Sequence, residues 1–294
     1  MNNKKVYILE DRGILFIQGE DSKEFLQNII TNDINKVNDS NSCFASILTP
    51  QGKYLHDFFI LEFKNDFYLD CEADRIEDLF RRFRMFKLRS DIEIEIVEQM
   101  TVTVFFGDYV YDQMPISSSE GEATNWLDGV LFTDPRLNKI GTRAILPKNS
   151  LESSKLGFQL ILATFEEYDT LRINLGLPDS SRDLLIEKSI LLESGFEELN
   201  GVDFEKGCYV GQELTARTKY RGLIKKRLIP VKFTGTPPES GTEIRKNNKK
   251  VGEIRSVSNS SALAILSLDS LDKPGQFIAG KTTLLPDKAE WANF

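Results

Sequence analysis

The sequence has one histidine, His56, in 294 residues. Ser–His–Asp or Cys–His catalysis would have to run through that residue, and a zinc site built from several histidines is excluded. There is no CxxC, no GxxxxGK[ST] and no GxGxxG, so the phosphate-cradling loops of nucleotide and dinucleotide folds are absent. No window approaches about 18 consecutive apolar residues, so no helix is expected to span a membrane. Cysteine is scarce and odd in number: Cys43, Cys71 and Cys208 lie far apart. A disulfide framework needs even, clustered cysteines, so a reducing compartment is expected. The Met1–Gly13 stretch lacks an apolar core with a cleavage site and is too acidic for a transit peptide. The cytoplasm is the expected location.

Hydrophobic residues make up 40% and charged residues 28%, with no long low-complexity tract, so the chain should fold around packed cores. The net charge of −8 repels phosphate backbones and argues against general nucleic-acid binding, local basic patches aside.

The patterning predicts two short strands within 6–17, around Asp11-Arg12-Gly13. Asp21 and Glu24 resemble a capping box, and Phe25/Ile29 with Leu26/Ile30 predict a helix over 22–31 with one buried face. Strands are expected at 43–48 and 54–63, joined by the Pro50-Gln51-Gly52 turn. A helix from Ala73 to Phe86 would bury Ile76, Leu79, Phe80 and Phe83. The alternation of 91–96 marks a strand, another follows at 101–106, and 112–125 reads as a loop. Thr164 to Glu167 opens a helix that should stop near Gly176. Short strands at 227–233, 251–257 and 261–268, separated by turns, suggest a small barrel or sandwich.

The densest chemistry lies in Lys206-Gly207-Cys208-Tyr209-Val210-Gly211-Gln212-Glu213. Glycines on both sides place Cys208 on a tight, exposed loop. Nearby cations, from Lys206 to Arg217, Lys219, Arg221, Lys225, Lys226 and Arg227, favour thiolate over thiol. A thiolate is both a nucleophile and a soft metal ligand, and the residues alone do not choose between these roles. A free cysteine is also often a small buried hydrophobe, which is the reading given to Cys43 and Cys71. The basic run 217–227 reads either as a solvated loop or as an anion site for a glutamate tail or RNA phosphate. Arg81 to Arg89 reads as an amphipathic helix with aromatics inside, the RNA-stacking alternative being unnecessary. Asp57 beside His56 is a candidate to orient an amine or take its proton, or simply a strand residue after a turn.

These residues resemble a family. Lys206 to Glu213, continued by Thr215-Ala216-Arg217 and Arg221-Gly222, resembles the signature of YgfZ-type folate-binding proteins. That group is related to the glycine-cleavage T protein, an aminomethyltransferase, and includes iron–sulfur cluster assembly factors. Supporting matches are Gly19-Glu20-Asp21, Phe25-Leu26-Gln27, Thr31-Asn32-Asp33, Leu48-Thr49-Pro50-Gln51-Gly52, Lys87-Leu88-Arg89-Ser90, Asp134-Pro135-Arg136 and Gly201-Val202. The resemblance implies an α+β fold with T-protein-like subdomains around a central folate cavity and a C-terminal β-barrel. The corresponding division is 1–97 and 98–222 for the α+β subdomains and 223–294 for the barrel.

It further implies tetrahydrofolate as ligand and Cys208 as the signature cysteine, a transient iron–sulfur ligand. The implied folate contacts are Lys206, Gly207, Tyr209, Gly211, Gln212, Glu213, Asn174, Arg217, Arg221 and Arg227. Where the transferases carry paired aspartates the sequence reads His56-Asp57, leaving Asp57 as the remnant catalytic residue. Where they carry a pterin-holding glutamate it reads Arg172-Ile173-Asn174. The expected function is a folate-binding accessory protein for 4Fe–4S cluster assembly or repair. It would be a monomer working with assembly or client proteins, with no membrane. The rivals are a one-carbon transferase acting on an amine or a tRNA base, and an inert folate-binding paralogue.

Overall fold

The computed structural model describes residues 4–108, 110–150, 160–222 and 224–294. The first strands are β1 (Lys5–Leu9) and β2 (Arg12–Gln18), followed by helix α1 (Ser22–Ile29). Next come β3 (Cys43–Leu48), β4 (Tyr54–Phe63) and β5 (Asp66–Glu72), and then helix α2 (Ile76–Lys87). Strands β6 (Glu93–Ile96), β7 (Met100–Phe106), β8 (Ala123–Trp126), β9 (Gly129–Thr133), β10 (Thr142–Pro147) and β11 (Ile161–Leu162) follow. Helices α3 (Phe165–Asn174) and α4 (Gln212–Tyr220) precede the last strands. Those are β12 (Lys226–Phe233), β13 (Glu243–Lys246), β14 (Lys249–Val257), β15 (Ser261–Ser267), β16 (Phe277–Ala279) and β17 (Thr282–Pro286).

The strands form a five-stranded sheet β3-β4-β5-β2-β6, a six-stranded sheet β11-β1-β7-β10-β9-β8 and a closed barrel β12-β15-β14-β13-β16-β17. The α+β class and the C-terminal barrel are as expected. The chain divides into two compact units that are discontinuous in sequence. One comprises Met1–Leu48, Leu55–Phe165 and Leu199–Val210; the other comprises Thr49–Tyr54, Glu166–Glu198 and Gly211–Phe294.

In the first unit, α1 and α2 cover one face of the five-stranded sheet. Phe25, Leu26 and Ile29 of α1 are buried, as the i, i+4 spacing requires. On α2, Leu79 and Phe83 are fully buried, with Ile76 and Phe80 packed partly against the same core. The Phe83 ring meets Phe25 and Phe58 edge-on, at centroid distances of 5.6 and 6.0 Å. Truncating Phe83 would therefore open a cavity at the centre of this layer, at about 3–5 kcal/mol.

Two local expectations are corrected. Asp21 does not cap α1: its backbone at φ −92, ψ 2 is not extended, and its carboxylate instead accepts the Asp91 N–H at 2.7 Å. The 112–125 segment is not all loop, because Ala123 begins β8, which pairs with β9.

In the second unit, Arg172 of α3 is buried and donates to Asp169 at 2.7 Å and to Asp183 at 2.8 Å. The other Asp183 oxygen accepts from Ser256 of β14, through the main-chain N–H at 2.9 Å and Oγ at 2.6 Å. A buried carboxylate thus joins a helix to the barrel wall. Strands β13, β16 and β17 escape a reading of the sequence because they are short, and β13 and β17 each bury a polar side chain, Lys246 and Thr282, beside an apolar one. Lys246, for example, is buried with its ammonium 4.1 Å above the Phe277 ring.

Candidate functional site

The chain reaches Cys208 along a segment pinned to the end of α1, all within the first unit. Thr31 Oγ1 donates to the Gly201 carbonyl at 2.7 Å, and the Asp203 N–H donates to the Thr31 carbonyl at 3.0 Å. Asn32 Nδ2 bridges the carbonyls of Asn200 and Phe44 at 2.7 and 2.8 Å. Lys206 donates from Nζ to the carbonyls of Gln27 at 2.8 Å and Ile30 at 2.6 Å, and Gln27 Nε2 returns a bond to the Lys206 carbonyl.

Beyond this anchor the backbone turns through Gly207 at φ +94, exposes Cys208, and buries Tyr209. At Gly207 a Cβ would meet nothing within 4 Å, so the positive φ alone calls for glycine. Gly211, at φ +86, is the N-cap of α4.

Cys208 is the one exposed cysteine; Cys43 and Cys71 are buried, and burial pushes each thiol up to about 12. Among the described residues no three His, Cys, Asp or Glu side chains gather to hold a metal ion. Cys208 therefore supplies one thiolate, and the remaining ligands of any cluster have to come from another molecule.

Lys206 was expected beside the thiol and a folate. Its ammonium is instead committed to the α1 carbonyls and lies 5.2 Å above the Tyr209 ring. Burial pulls it down to about 8, partly offset by Asp33.

In the second unit, Glu213 is exposed in the first turn of α4, where a carboxylate favours the helix dipole, and Gln212 begins the helix. Arg217 and Arg221 are exposed and in no ion pair among the described residues, whereas Lys219 is paired to Glu197 at 2.6 Å. Arg227 is buried and turned inward, donating from its two Nη atoms to Glu198 at 2.6 Å and to the Leu192 carbonyl at 2.8 Å, while its Nε has no partner among the described residues. Asn174 is exposed at the last position of α3.

His56 and Asp57 alternate on β4 and turn to different partners. His56 Nε2 lies 2.9 Å from Asp78 Oδ2 and 3.2 Å from Arg75 Nη2. Burial and the Arg75 charge pull His56 down to about 4, so it is neutral at pH 7. Asp57 is buried, and its charge acts on Arg12 and Cys71. The two side chains do not form a dyad.

A cluster that sequence reading missed lies in the first unit. Asp70, fully buried, accepts from Arg12 Nε and from Arg143 Nη2, each at 2.5 Å. Burial alone would raise this carboxyl, but the two guanidinium groups outweigh it and hold it below its usual range. Arg143 and Arg136 flank the Phe59 ring at 4.2 and 4.8 Å, and Arg136 pairs with Asp134 at 2.8 Å. Only Asp134-Pro135-Arg136 was visible as a motif; an inward arginine in the strand Thr142–Pro147 leaves no pattern.

The residues meet a folate's needs in part. Arg217 and Arg221 can pair with a glutamate tail. Position 174 carries an exposed amide where a pterin calls for a carboxylate, so no chemical step is derived through folate.

A groove of about 850 Å³ also belongs to the first unit, lined by Asp21, Glu24 and Phe25 of the α1 region, by Phe86 and Leu88, and by Val210. Val210 is two residues beyond Cys208.

Residues 225–294 match the family model described as "CAF17, C-terminal beta-barrel domain". The chain is 31% identical over 241 residues to a mitochondrial iron–sulfur cluster assembly factor IBA57 homolog of Neurospora crassa, over 79% of this chain and 54% of that protein. It is 27% identical over 292 residues to the human mitochondrial IBA57 factor, covering 90% of this chain and 78% of the relative. The chain thus spans little more than half the length of the fungal relative. Its fold matches the crystal structure of the glycine cleavage system aminomethyltransferase T from Bartonella henselae. The TM-score is 0.80 at 14% identity, over 98% of this chain and 86% of that one.

The relatives' names overturn the cytoplasmic expectation, since these proteins are described as mitochondrial. Unpaired cysteines suit any reducing compartment, so they never distinguished the two. The chain therefore has the fold of an aminomethyltransferase T, a C-terminal barrel matching that of CAF17, and sequence similarity to iron–sulfur cluster assembly factors along most of its length.

Proposed function

We propose that this protein is an accessory factor in iron–sulfur cluster assembly, and that Cys208 is an exchangeable ligand to a cluster in transit. The observation that carries the reading is the setting of Cys208: exposed, held between two positive-φ glycines and anchored by Lys206 to α1, while the other cysteines are buried. One thiolate binds a cluster too weakly to store it but suffices to share it with a partner. The names of the sequence relatives and the YgfZ-type signature support the same role. Tetrahydrofolate, which the fold suggests, would be held through Arg217 and Arg221 at its tail, with Gly207, Tyr209, Gly211, Gln212, Glu213 and Asn174 as further candidates. The cluster is the cargo, and its 4Fe–4S form belongs to this proposal.

The test is restoration of 4Fe–4S enzyme activity in cells that lack their own factor. The wild-type chain should restore it, and Cys208→Ala should not, although it folds normally. If Cys208→Ala restores activity as well as wild type, the reading fails. A second reading, one-carbon transfer, draws on the aminomethyltransferase fold. It predicts loss of function in Asp57→Asn, whose side chain is turned away from His56; retained function in that variant removes it.

A further inference from the structure

The C-terminal end of α2 presents large apolar side chains to solvent. Met85 is 75% exposed, Phe86 41% and Leu88 87%. Around them, residues 81–89 hold Arg81, Arg82, Arg84, Lys87 and Arg89 and no carboxylate, in a protein of net charge −8. Arg81 and Arg82 share Asp78, and Arg84 lies over the Phe80 ring. Lys87 and Arg89 are in no ion pair among the described residues. Leu88 adopts φ +47, ψ −104, a conformation that glycine takes freely and a leucine only with strain of about 1–2 kcal/mol. So exposed a side chain gains nothing from the core in return.

Phe86, Lys87, Leu88 and Arg89 line the groove that Val210 also lines, so this end of the shoulder and the segment carrying Cys208 share one surface of the first unit. Resting on the cluster-assembly reading above, we propose that this groove and its basic, apolar rim are the docking surface for an acidic iron–sulfur carrier protein, whose own cysteines complete the ligand set begun by Cys208.

The sign of the charge selects the partner. A basic patch on an acidic protein attracts an acidic surface and orients it during encounter. Phe86, Met85 and Leu88 supply the desolvated anchors that a lasting contact needs. A nucleic acid is disfavoured, because a phosphate backbone would leave Met85 and Leu88 without an apolar surface to pack against. A second copy is disfavoured too, because a two-fold contact would set like cations against each other.

The experiment uses the full chain in cells lacking their own factor, reading 4Fe–4S enzyme activity. The variants are Leu88→Asp, the double change Arg84→Glu with Arg89→Glu, and Leu88→Gly. A photo-crosslinking residue at position 88 is used in parallel. The three variants should lose at least about ten-fold in activity while the Cys208 alkylation rate stays at the wild-type value, with Leu88→Gly also unfolding at higher temperature than wild type. Crosslinks should land on a protein of net negative charge with cluster-binding cysteines. Full activity in the surface variants, or crosslinks to a second copy, a lipid or RNA, would overturn the docking surface. In those cases loss of activity in Cys208→Ala leaves the assembly role standing. If Cys208→Ala is active, the assembly role falls and takes the surface with it.

Discussion

The Lys206 ammonium and the Ile30 carbonyl oxygen lie 2.6 Å apart, so a residue of the cysteine signature closes the C-terminal end of α1. A cation there satisfies carbonyls that the helix leaves open and opposes the negative end of its dipole. Lys206→Met should lower stability by about 1–3 kcal/mol in urea unfolding, since charged hydrogen bonds to the Gln27 and Ile30 carbonyls are lost. Its effect on Cys208 alkylation should stay within about two-fold. A tenfold slower alkylation with unchanged stability would assign Lys206 to the thiol instead.

Thiol reactivity should separate the cysteines cleanly. Native protein treated with iodoacetamide at pH 8 should gain a single label at Cys208, and labelling of Cys43 and Cys71 should require denaturant. Both latter thiols are pushed up to about 12 by burial, which leaves them protonated and inaccessible. Peptide mass mapping decides the point, and native labelling of Cys43 would contradict the packing.

His56 gives an acid-sensitive contribution to stability. Its folded value of about 4 lies below the ordinary 6.5, so between these limits the unfolded chain binds more protons. Stability is therefore complete above pH 6.5 and falls as the pH drops towards 4, by up to ~3 kcal/mol from this group. His56→Gln should flatten that part of the profile while leaving the loss at lower pH, where Asp70 and Asp78 become protonated. Equal slopes in both proteins between pH 4 and 6.5 would refute the assignment.

Asp70 is bonded to Arg12 and Arg143 in the protein interior. Asp70→Ala leaves two buried guanidinium groups without their shared partner. The expected destabilisation is about 3–5 kcal/mol, read as a lowered melting temperature. Asp70→Asn should recover part of the loss, because the amide oxygen still accepts a hydrogen bond.

Legibility in the sequence followed the physics of each element. The faces of α1 and α2 were readable because Phe25, Ile29, Leu79 and Phe83 recur at helical spacing and one side alone is buried. The Cys208 loop was readable because glycine at 207 and 211 marks positive φ, which both adopt. Asp21 misled because a carboxylate before a helix has several donors to choose from, and here the Asp91 N–H wins. The role of Lys206 was hidden because its partners, Gln27 and Ile30, are main-chain oxygens far away in sequence. The Arg12–Asp70–Arg143 cluster was hidden for the same reason: it joins β2, β5 and β10, and no local pattern announces an arginine that turns inward.

The burial of Cys43 and Cys71 has a consequence for oxidative chemistry. A peroxide that converts the exposed Cys208 thiolate to a sulfenic acid finds no second accessible thiol in its own chain to resolve the oxidised sulfur as a disulfide. The lesion must therefore be capped by a small-molecule thiol or by a cysteine of another protein, or proceed to the irreversible sulfinic state. The same burial that leaves Cys208 alone on the surface thus makes the protein dependent on its surroundings for repair.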